Sequence, residues 1–280
     1  MNSTKGEYMN KNDIINIANE FVINSTYNYV SKEDAISEEF IGMKIFDEPI
    51  FAFGNAMANE FKLLKSPAAV GEIFMLPTEW LTGATTVISF FLPFTNMVVN
   101  SNKADKYWPT AQWLHGRIEG QKFVIEITRH INDKIIEKGY QSIVPTLDKR
   151  FKLKKNESDM LTYTSSWSER HVAFLCGLGT FGLSRGIITK KGMAGRLGSI
   201  ITNLKLEADK KFYTDLYEYC TMCGACIKKC PVNAISLKEG KDHIKCSGFL
   251  DLTKEIFNPR YGCGKCQISV PCSRQIPKTI

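Results

Sequence analysis

The chain carries the stretch CTMCGACIKKCP at residues 220–231. Its four cysteines, Cys220, Cys223, Cys226 and Cys230, follow the spacing C-x2-C-x2-C-x3-C and precede a proline. This spacing is typical of bacterial ferredoxins, in which the first three thiolates bind one [4Fe–4S] cluster and the fourth binds a second cluster. The stretch therefore predicts two clusters, which need four more cysteine ligands elsewhere in the chain.

The cysteines that follow can supply these ligands. They are Cys246, Cys263, Cys266 and Cys272. By the ferredoxin logic, the first cluster is held by Cys220, Cys223, Cys226 and Cys272, and the second by Cys230, Cys246, Cys263 and Cys266. Structural zinc is the competing interpretation, but zinc sites usually pair two C-x2-C units across about 12–20 residues, which the 2-2-3 spacing does not match. We therefore expect single-electron chemistry at low potential.

Composition places the chain among globular proteins. Hydrophobic residues make up 44% of its 280 residues, which is enough for a sizeable core. The sequence has no apolar run of the roughly 18 residues that span a bilayer, and the N-terminus has neither an apolar signal core nor a twin-arginine pair, so a cytoplasmic protein without membrane contact is expected. The net charge is +7, but two clusters of about −2 each would reduce it to about +3. A nucleic-acid partner is therefore not expected.

Apolar patterning predicts two domains, an α+β domain over residues 1–205 and a cluster domain over residues 206–280. Helices are predicted over 13–22, 121–138 and 168–176, and strands over 85–94, 186–189 and 198–202. Ser31 and Asp34 resemble a capping box for a further helix, and residues 205–215 resemble a charged helical connector. The cluster domain has little apolar periodicity, so its clusters are expected to hold it together.

Three glycines, Gly177, Gly179 and Gly182, match the pattern G-x-G-x-x-G. A dinucleotide site needs a strand before this pattern and an acidic residue about 20 positions later. Here a helix is predicted before it, and residues 197–202 contain no acid, so a nicotinamide cofactor is not expected. The glycines indicate close backbone approach, either to a packed helix or to a large flat cofactor. Cys176, just before them on an apolar helix, is interpreted as a small buried hydrophobe.

The order of several segments resembles the cobalamin-dependent epoxyqueuosine reductases and, more distantly, the reductive dehalogenases. These segments are EWLTGA at 79–84, SER at 168–170, GLGTFG at 177–182 and GSIIT at 198–202, followed by the two cysteine groups. The resemblance covers roughly residues 70–275. It implies a nitroreductase-like cobalamin-binding domain followed by a two-cluster bacterial ferredoxin-like domain, with a base-off corrinoid beside one cluster.

The resemblance also implies a set of cofactor contacts. They are Arg170, Gly177, Gly179, Gly182, Arg196, Gly198 and Ser199. Arg170 matches the family motif directly, whereas the glycines, Arg196 and Ser199 have internal packing as the alternative. His171 is either an axial ligand or, as the family tends to bind without a protein histidine, an ordinary pocket residue.

Tyr163 is the predicted catalytic residue. Counting back from Glu169 and Arg170, it falls at the position where epoxyqueuosine reductases have an acidic residue. Reductive dehalogenases use a tyrosine as proton donor, and a phenol is protonated at neutral pH and can donate to a developing anion. An ordinary half-buried tyrosine is the alternative.

The resemblance thus implies a reductase of a small molecule, supplied by an external low-potential electron donor of the ferredoxin or flavodoxin type. The helical-repeat tail of many epoxyqueuosine reductases has no counterpart before Ile280, and the last cysteine reads VPC at 270–272, so a tRNA substrate is not expected. A ferredoxin-type carrier and a corrinoid-reducing activator remain alternatives. Tyr107, Trp108 and Trp113 either line a substrate pocket or pack internally.

Overall fold

The computed structural model describes residues 8–156 and 162–278. The first seven residues of the N-terminal stretch, on which the cytoplasmic prediction partly rests, fall outside the described residues. Within the described ranges, no helix is both long and apolar enough to cross a bilayer.

The first part of the chain, residues 8–205, mixes helices with short strands. In chain order these are α1 (Lys11–Asn24), β1 (Ile50–Asn55), α2 (Glu60–Leu63), α3 (Pro77–Trp80), β2 (Thr86–Pro93), α4 (Asn96–Ser101), α5 (Ala111–Glu137), β3 (Ser142–Ile143), β4 (Leu153–Asn156), β5 (Thr162–Ser165), α6 (Glu169–Cys176), β6 (Gly179–Phe181), β7 (Ile187–Thr189) and β8 (Gly195–Thr202). The cysteine-rich part, residues 206–278, adds α7 (Ala225–Lys229), β9 (Ile235–Ser236), β10 (Gly240–Lys241) and α8 (His243–Ile256). The predicted α+β class is confirmed.

An antiparallel sheet in the order β1-β2-β8-β3 forms the centre of the first part. Strand β2 is buried along its whole length because packed side chains cover both faces of the sheet. Ile88 packs in a core that includes α1 and α5, whereas Val87 and Phe91 pack in a second core that includes α6. The sheet therefore lies between α5 and α6, the two helices that contribute arginines to the site described below.

Helix α5 begins ten residues earlier than residue 121, the predicted start. In the extra segment Gly116 lies against the ring of Phe94, and Gly120 lies against the ring of Phe46. Glycine weakens a helix in isolation, but these two positions have no room for a larger side chain beside the aromatic rings. Tertiary packing therefore overrides the local helix propensity on which the prediction rested.

Most other element predictions are confirmed to within a few residues, since α1, α6, β2, β7 and β8 overlap the predicted spans. Two predictions are wrong. Asp34 N–H donates to Ser31 Oγ at 3.2 Å, but this is a turn that no helix follows. Residues 205–215 are irregular, because the Asp209 carboxylate accepts the backbone N–H of Phe53 at 2.9 Å and so holds the segment along β1.

The cysteine-rich part docks on the first part through aromatic rings. Trp108 stacks on Phe249 of α8 with 5.7 Å between ring centroids, and Tyr107 meets the same ring edge-on at 5.0 Å. Trp113 packs against Phe94 and lies under Gly264. The three aromatic residues of the 96–113 segment therefore pack between the two parts of the chain.

Candidate iron–sulfur and cofactor site

The first group of cysteines lines one small cavity. Cys220, Cys223, Cys226 and Cys272 surround it, together with residues 182–184 of the glycine-rich loop. The pKa of the Cys272 thiol is raised to about 12. Burial is the largest cause, and the neighbouring Cys220, Cys226 and Cys223 contribute to the same rise. The backbone N–H of Leu183 donates to Cys220 Sγ at 3.4 Å. The structure therefore brings together four thiols that lie as much as 52 positions apart in the chain.

The second group forms around the start of α8 and the loop after it. Burial raises the pKa of Cys263 to about 12, and the nearby Cys266 and Cys246 add to the rise. Burial also raises the pKa of Cys266; Lys241 opposes this rise, while Cys246 and Cys230 add to it. The backbone N–H of Ala234 donates to Cys230 Sγ at 3.1 Å, the kind of contact that stabilises a thiolate.

The two groups are neighbours. The pKa of Cys226 is raised to about 11, mainly by burial. Among its charged neighbours, Cys266 of the second group makes the largest contribution to this rise. An electron held by thiolate-ligated metal at one group would therefore be close to the other group. Cys223 is exposed, whereas Cys266 lies much deeper.

Among residues 8–156 and 162–278, no group of three or more Cys, His, Asp or Glu side chains is arranged so that it could hold a single metal ion.

Helix α6 places three polar residues in succession between the two parts of the chain. Arg170 is accessible to solvent, yet it lies deep enough that desolvation lowers its pKa, an effect that Cys266 and Cys246 oppose. The pKa of His171 is lowered to about 4. Burial is the largest cause, and the positive charges of Arg170 and Arg185 contribute to the decrease. His171 is therefore neutral at pH 7, with Nδ1 2.7 Å from Ser168 Oγ.

Glu169 is half-buried beside Ser199, with its Oε2 atom buried. Desolvation raises its pKa to about 7, and a hydrogen bond with Ser199 limits the rise. Its Oε2 atom finds no hydrogen-bond partner among the described residues. Glu169 can therefore hold a proton near neutral pH.

A second arginine, Arg196 at the start of β8, faces the N-terminal turns of α5. Its Nη2 donates to the backbone carbonyl of Arg117 at 3.4 Å, and its Cζ lies 5.7 Å from the ring centroid of Phe94. Arg117 in turn donates to the Tyr261 hydroxyl at 2.7 Å and covers its ring. The pKa of Arg196 is lowered to about 9. Burial is the largest cause, and the positive charges of Arg117 and Arg170 contribute to the decrease, whereas Tyr261 opposes it.

Arg117 and Arg170 are both close enough to Arg196 to lower its pKa, and the sequence did not indicate the contribution of Arg117 or Tyr261. Arg117 and Tyr261 are 144 positions apart in the chain. No local motif connects them, so no sequence signal could have identified their contact.

Tyr163 lies on β5 and reaches the cysteine-rich part. Its hydroxyl is 2.7 Å from Ser247 Oγ, next to Cys246 on α8, and the residue is 53% exposed. It lines an open cleft of about 430 Å³ that also includes Lys154, Arg185 and His243. Arg185 has φ +61°, an uncommon conformation for a non-glycine residue that often marks a functional turn.

The predicted glycine and serine contacts have close neighbours inside the protein. Helix α6 ends at Gly177, and a side chain at Gly179 would meet the carbonyl of Ile188 across the β6–β7 pair. Gly198 faces the ring of Phe90, and Ser199 Oγ accepts the indole N–H of Trp167 at 2.8 Å. Gly182 differs, because it lines the cavity of the first cysteine group. Cys176 is buried, as predicted.

A family model described as a 4Fe-4S binding domain matches residues 213–236. That span contains the four cysteines of the stretch at 220–231. The chain therefore carries a 4Fe–4S binding domain.

Among curated proteins, an epoxyqueuosine reductase from Francisella cf. novicida (strain Fx1) is 28% identical over 219 residues. The match covers 73% of this chain and 57% of the relative, so the chain spans little more than half of that protein's length.

Two kinds of solved structure share the fold. A reductive dehalogenase, whose structure suggests a mechanism for B12-dependent dehalogenation, gives a TM-score of 0.54 at 14% identity and covers 81% of this chain and 30% of that chain. An epoxyqueuosine reductase with an epoxyqueuosine-modified tRNA-Tyr stem loop gives a TM-score of 0.50 at 17% identity. That match covers 82% of this chain and 62% of that chain. The predicted resemblance is confirmed: this iron–sulfur protein is similar in sequence to an epoxyqueuosine reductase and shares its fold with such enzymes and with a reductive dehalogenase.

Proposed function

We propose that the protein is a cobalamin- and iron–sulfur-dependent reductase of a small molecule, with two [4Fe–4S] clusters. The observation that carries this proposal is the position of Arg170, which is solvent-accessible between the two parts of the chain and close to Cys246 and Cys266. A redox cofactor bound there would be next to the second cysteine group.

The residues present fit both kinds of cofactor. Eight cysteines in two adjacent groups, with backbone N–H donors to Cys220 and Cys230, match the ligand set of two cubanes. Arg170 has a solvent-accessible side chain, and Arg196 has a buried Nε without a partner among the described residues, so both could donate to an oxygen-rich ligand such as a corrinoid. When bound, the clusters would supply single electrons and the corrinoid would supply the low-potential centre for reduction.

The chain's own residues bind the cofactor, position the substrate and deliver a proton. Arg170 and Arg196 would donate hydrogen bonds to the polar edge of the corrinoid. Tyr163 would donate the proton, and Ser247 would orient its hydroxyl through the 2.7 Å contact. His243 and His171, whose pKa values burial lowers to about 4, would be neutral neighbours at pH 7.

External electrons would enter at the first cysteine group. Cys223 is exposed there, whereas Cys266 of the second group is half-buried and lies close to Arg170. A low-potential donor of the ferredoxin or flavodoxin type would therefore dock near Cys223.

Epoxyqueuosine reduction on tRNA is the second candidate function. It is supported by the name of the curated relative and by the neighbour solved with a tRNA stem loop. The chain covers only part of both proteins, so a tRNA substrate has to be tested directly alongside small molecules.

The first experiment measures iron, sulfide and cobalt in protein produced anaerobically with cobalamin supplied. About eight irons and about one cobalt per chain would support the reductase. About eight irons without cobalt would overturn it in favour of a two-cluster carrier. Cobalt that exchanges readily with a second corrinoid protein would instead indicate a reducing activator.

Turnover then tests the catalytic role. Tyr163→Phe removes only the hydroxyl and should lower kcat at least tenfold with little change in retained cobalt. Ser247→Ala keeps the phenol and should have a smaller effect. Equal kcat for wild type and Tyr163→Phe would contradict the assigned proton donor. Assays with an epoxyqueuosine-modified stem loop under the same conditions separate the two candidate substrates.

A further inference from the structure

Arg117, Arg170 and Arg196 form a cationic cluster, here called the arginine cluster. Each of the other two lowers the pKa of Arg196, so the three charges act on one another. No carboxylate of the described residues forms an ion pair with any of them. Like charges held together in a partly desolvated space raise the free energy of the fold unless an anion compensates them.

The second cysteine group can compensate only one of the three. Cys266 and Cys246 act on Arg170, and a cluster bound there would bring negative charge to the same place. Arg196 has no cysteine among its charged neighbours, and the group that opposes the fall of its pKa is the phenol of Tyr261. Arg117 and Arg196 therefore lack a counter-charge even in a cluster-loaded protein.

The hydrogen-bond donors of Arg196 are also incompletely used. Its Nε is buried with no partner among the described residues, and its Nη2 has only the long contact of 3.4 Å to the Arg117 carbonyl. A buried donor without an acceptor raises the free energy of the fold, so such a group indicates a missing partner. A guanidinium offers its N–H groups as a planar fork that matches phosphate and carboxylate oxygens.

The positions of the side chains are fixed before any ligand arrives. Tyr261 holds Arg117 through its hydroxyl and ring, and Phe94 lies under the guanidinium of Arg196. Preorganised donors of this kind lose little entropy when they bind an anion.

We propose that the arginine cluster is an oxyanion-binding site, in which Arg117 and Arg196 hold a phosphate or carboxylate group. Its biological meaning rests on the proposed reductase, since the anion would belong either to the substrate or to the phosphodiester of the corrinoid's nucleotide tail. Anion binding itself does not depend on a bound corrinoid.

The test titrates inorganic phosphate into the anaerobically reconstituted, cluster-loaded protein without corrinoid, at low ionic strength and pH 7.5, by calorimetry. Saturable binding is expected, at least tenfold weaker in Arg196→Gln and in Arg117→Gln. Arg196→Lys keeps the charge but not the fork and should fall between wild type and Arg196→Gln. Iron content and circular dichroism establish that each variant is folded.

Arg129→Gln is the matched control. Arg129 lies on the same helix as Arg117, is exposed and pairs with Glu126 at 2.8 Å. It should bind phosphate as wild type does. Absence of saturable binding in wild type, unchanged binding in folded Arg196→Gln, or an equal loss in Arg129→Gln would each overturn the proposal.

Competition identifies the source of the anion. If phosphate competes with cobalamin but not with cobinamide, which lacks the nucleotide phosphate, the site holds the cofactor's phosphodiester. If it competes with neither, the site holds an anionic substrate. Phosphate binding without corrinoid retention would support the oxyanion site and overturn the reductase, whereas corrinoid retention without phosphate binding would do the reverse.

Discussion

The ammonium group of Lys265 donates to the backbone carbonyl of Asn102 at 2.8 Å, and the same asparagine donates its side-chain amide to the carbonyl of Cys263 at 2.9 Å. Lys265 lies between two cysteines of the second group and is only 2% exposed. The ammonium group also donates to the side-chain oxygen of Asn102 at 3.1 Å and to the carbonyl of Asp105 at 2.9 Å. The loop after α4 therefore fixes the segment that presents Cys263 and Cys266.

Replacing Lys265 with methionine should weaken this attachment. Met fills similar space but leaves the buried carbonyls of Asn102 and Asp105 without their donor, and hydrogen bonds to a charged group contribute about 1.5–3 kcal/mol. We expect the free energy of unfolding to fall by about 2–3 kcal/mol, measured by anaerobic denaturant titration, together with partial loss of iron. The exposed Lys254 of α8 offers the control. Should Lys254→Met and Lys265→Met behave alike, the proposed anchor would be wrong.

Single cysteine replacements should separate the two groups. Cys272→Ser is expected to remove one cluster, and Cys246→Ser the other, so each variant should fall from about eight irons to about four. Iron analysis and electron paramagnetic resonance of the reduced protein measure this directly, because two interacting clusters give a spectrum that a single cluster does not.

The ninth cysteine supplies the control for these variants. Cys176 is buried away from both groups, so Cys176→Ala should keep the wild-type iron content. Four irons in the wild type, or complete iron loss from only one of the two serine variants, would contradict two independent clusters.

Gly264 of the cysteine-rich part lies directly against Trp113 of the first part. It has φ +69°, and a Cβ added there would lie 1.9 Å from Cζ2 of Trp113. Gly264→Ala should therefore displace the loop between Cys263 and Cys266 and lower iron occupancy of the second group, as read from iron content and the thermal midpoint.

Gly248 provides a glycine without these constraints. It lies on α8 with no atom within 4 Å of an added Cβ, so Gly248→Ala should be neutral or slightly stabilising, since alanine favours the helix. If Gly264→Ala also kept full iron and the wild-type midpoint, the contact with Trp113 would have no structural importance.

The cysteine spacing could be interpreted from the sequence because three of the four ligands of the first cubane come from one tight loop, which residues 220–226 form locally. The strand β2 and the helices α1 and α6 could be predicted for a similar reason, since each buries its own periodic apolar residues. These features depend on neighbours in the chain.

The features that the sequence missed depend on distant contacts. The segment at 205–215 has a helical composition, but Asp209 instead accepts a hydrogen bond from Phe53. The early turns of α5 contain two glycines that are favourable only because Phe94 and Phe46 pack against them. The contact of Arg117 with Tyr261 follows from that longer helix, so the arginine cluster could not be anticipated from local patterns.

Glu169 should make stability depend on pH in an unusual direction. Burial raises its pKa from 4.5 to about 7 in the folded chain, so the unfolded chain loses this proton first as the pH rises. The folded state therefore binds more protons between about pH 4.5 and pH 7, and stability falls through that window before levelling off above it. A difference of this size corresponds to about 3 kcal/mol.

Glu169→Gln keeps the shape of the side chain but cannot ionise. Cluster loss and other titrations affect wild type and variant equally, so the difference between their denaturation midpoints at pH 5, 6, 7 and 8 isolates Glu169. The variant should gain stability relative to wild type as the pH rises, approaching about 3 kcal/mol at pH 8. Glu255→Gln, at an exposed position on α8, should show a constant difference. If the stability difference between wild type and Glu169→Gln were also independent of pH, the Glu169 carboxyl would ionise at the same pH in the folded and unfolded chain. Glu169 would then hold no proton beside Arg170 at neutral pH.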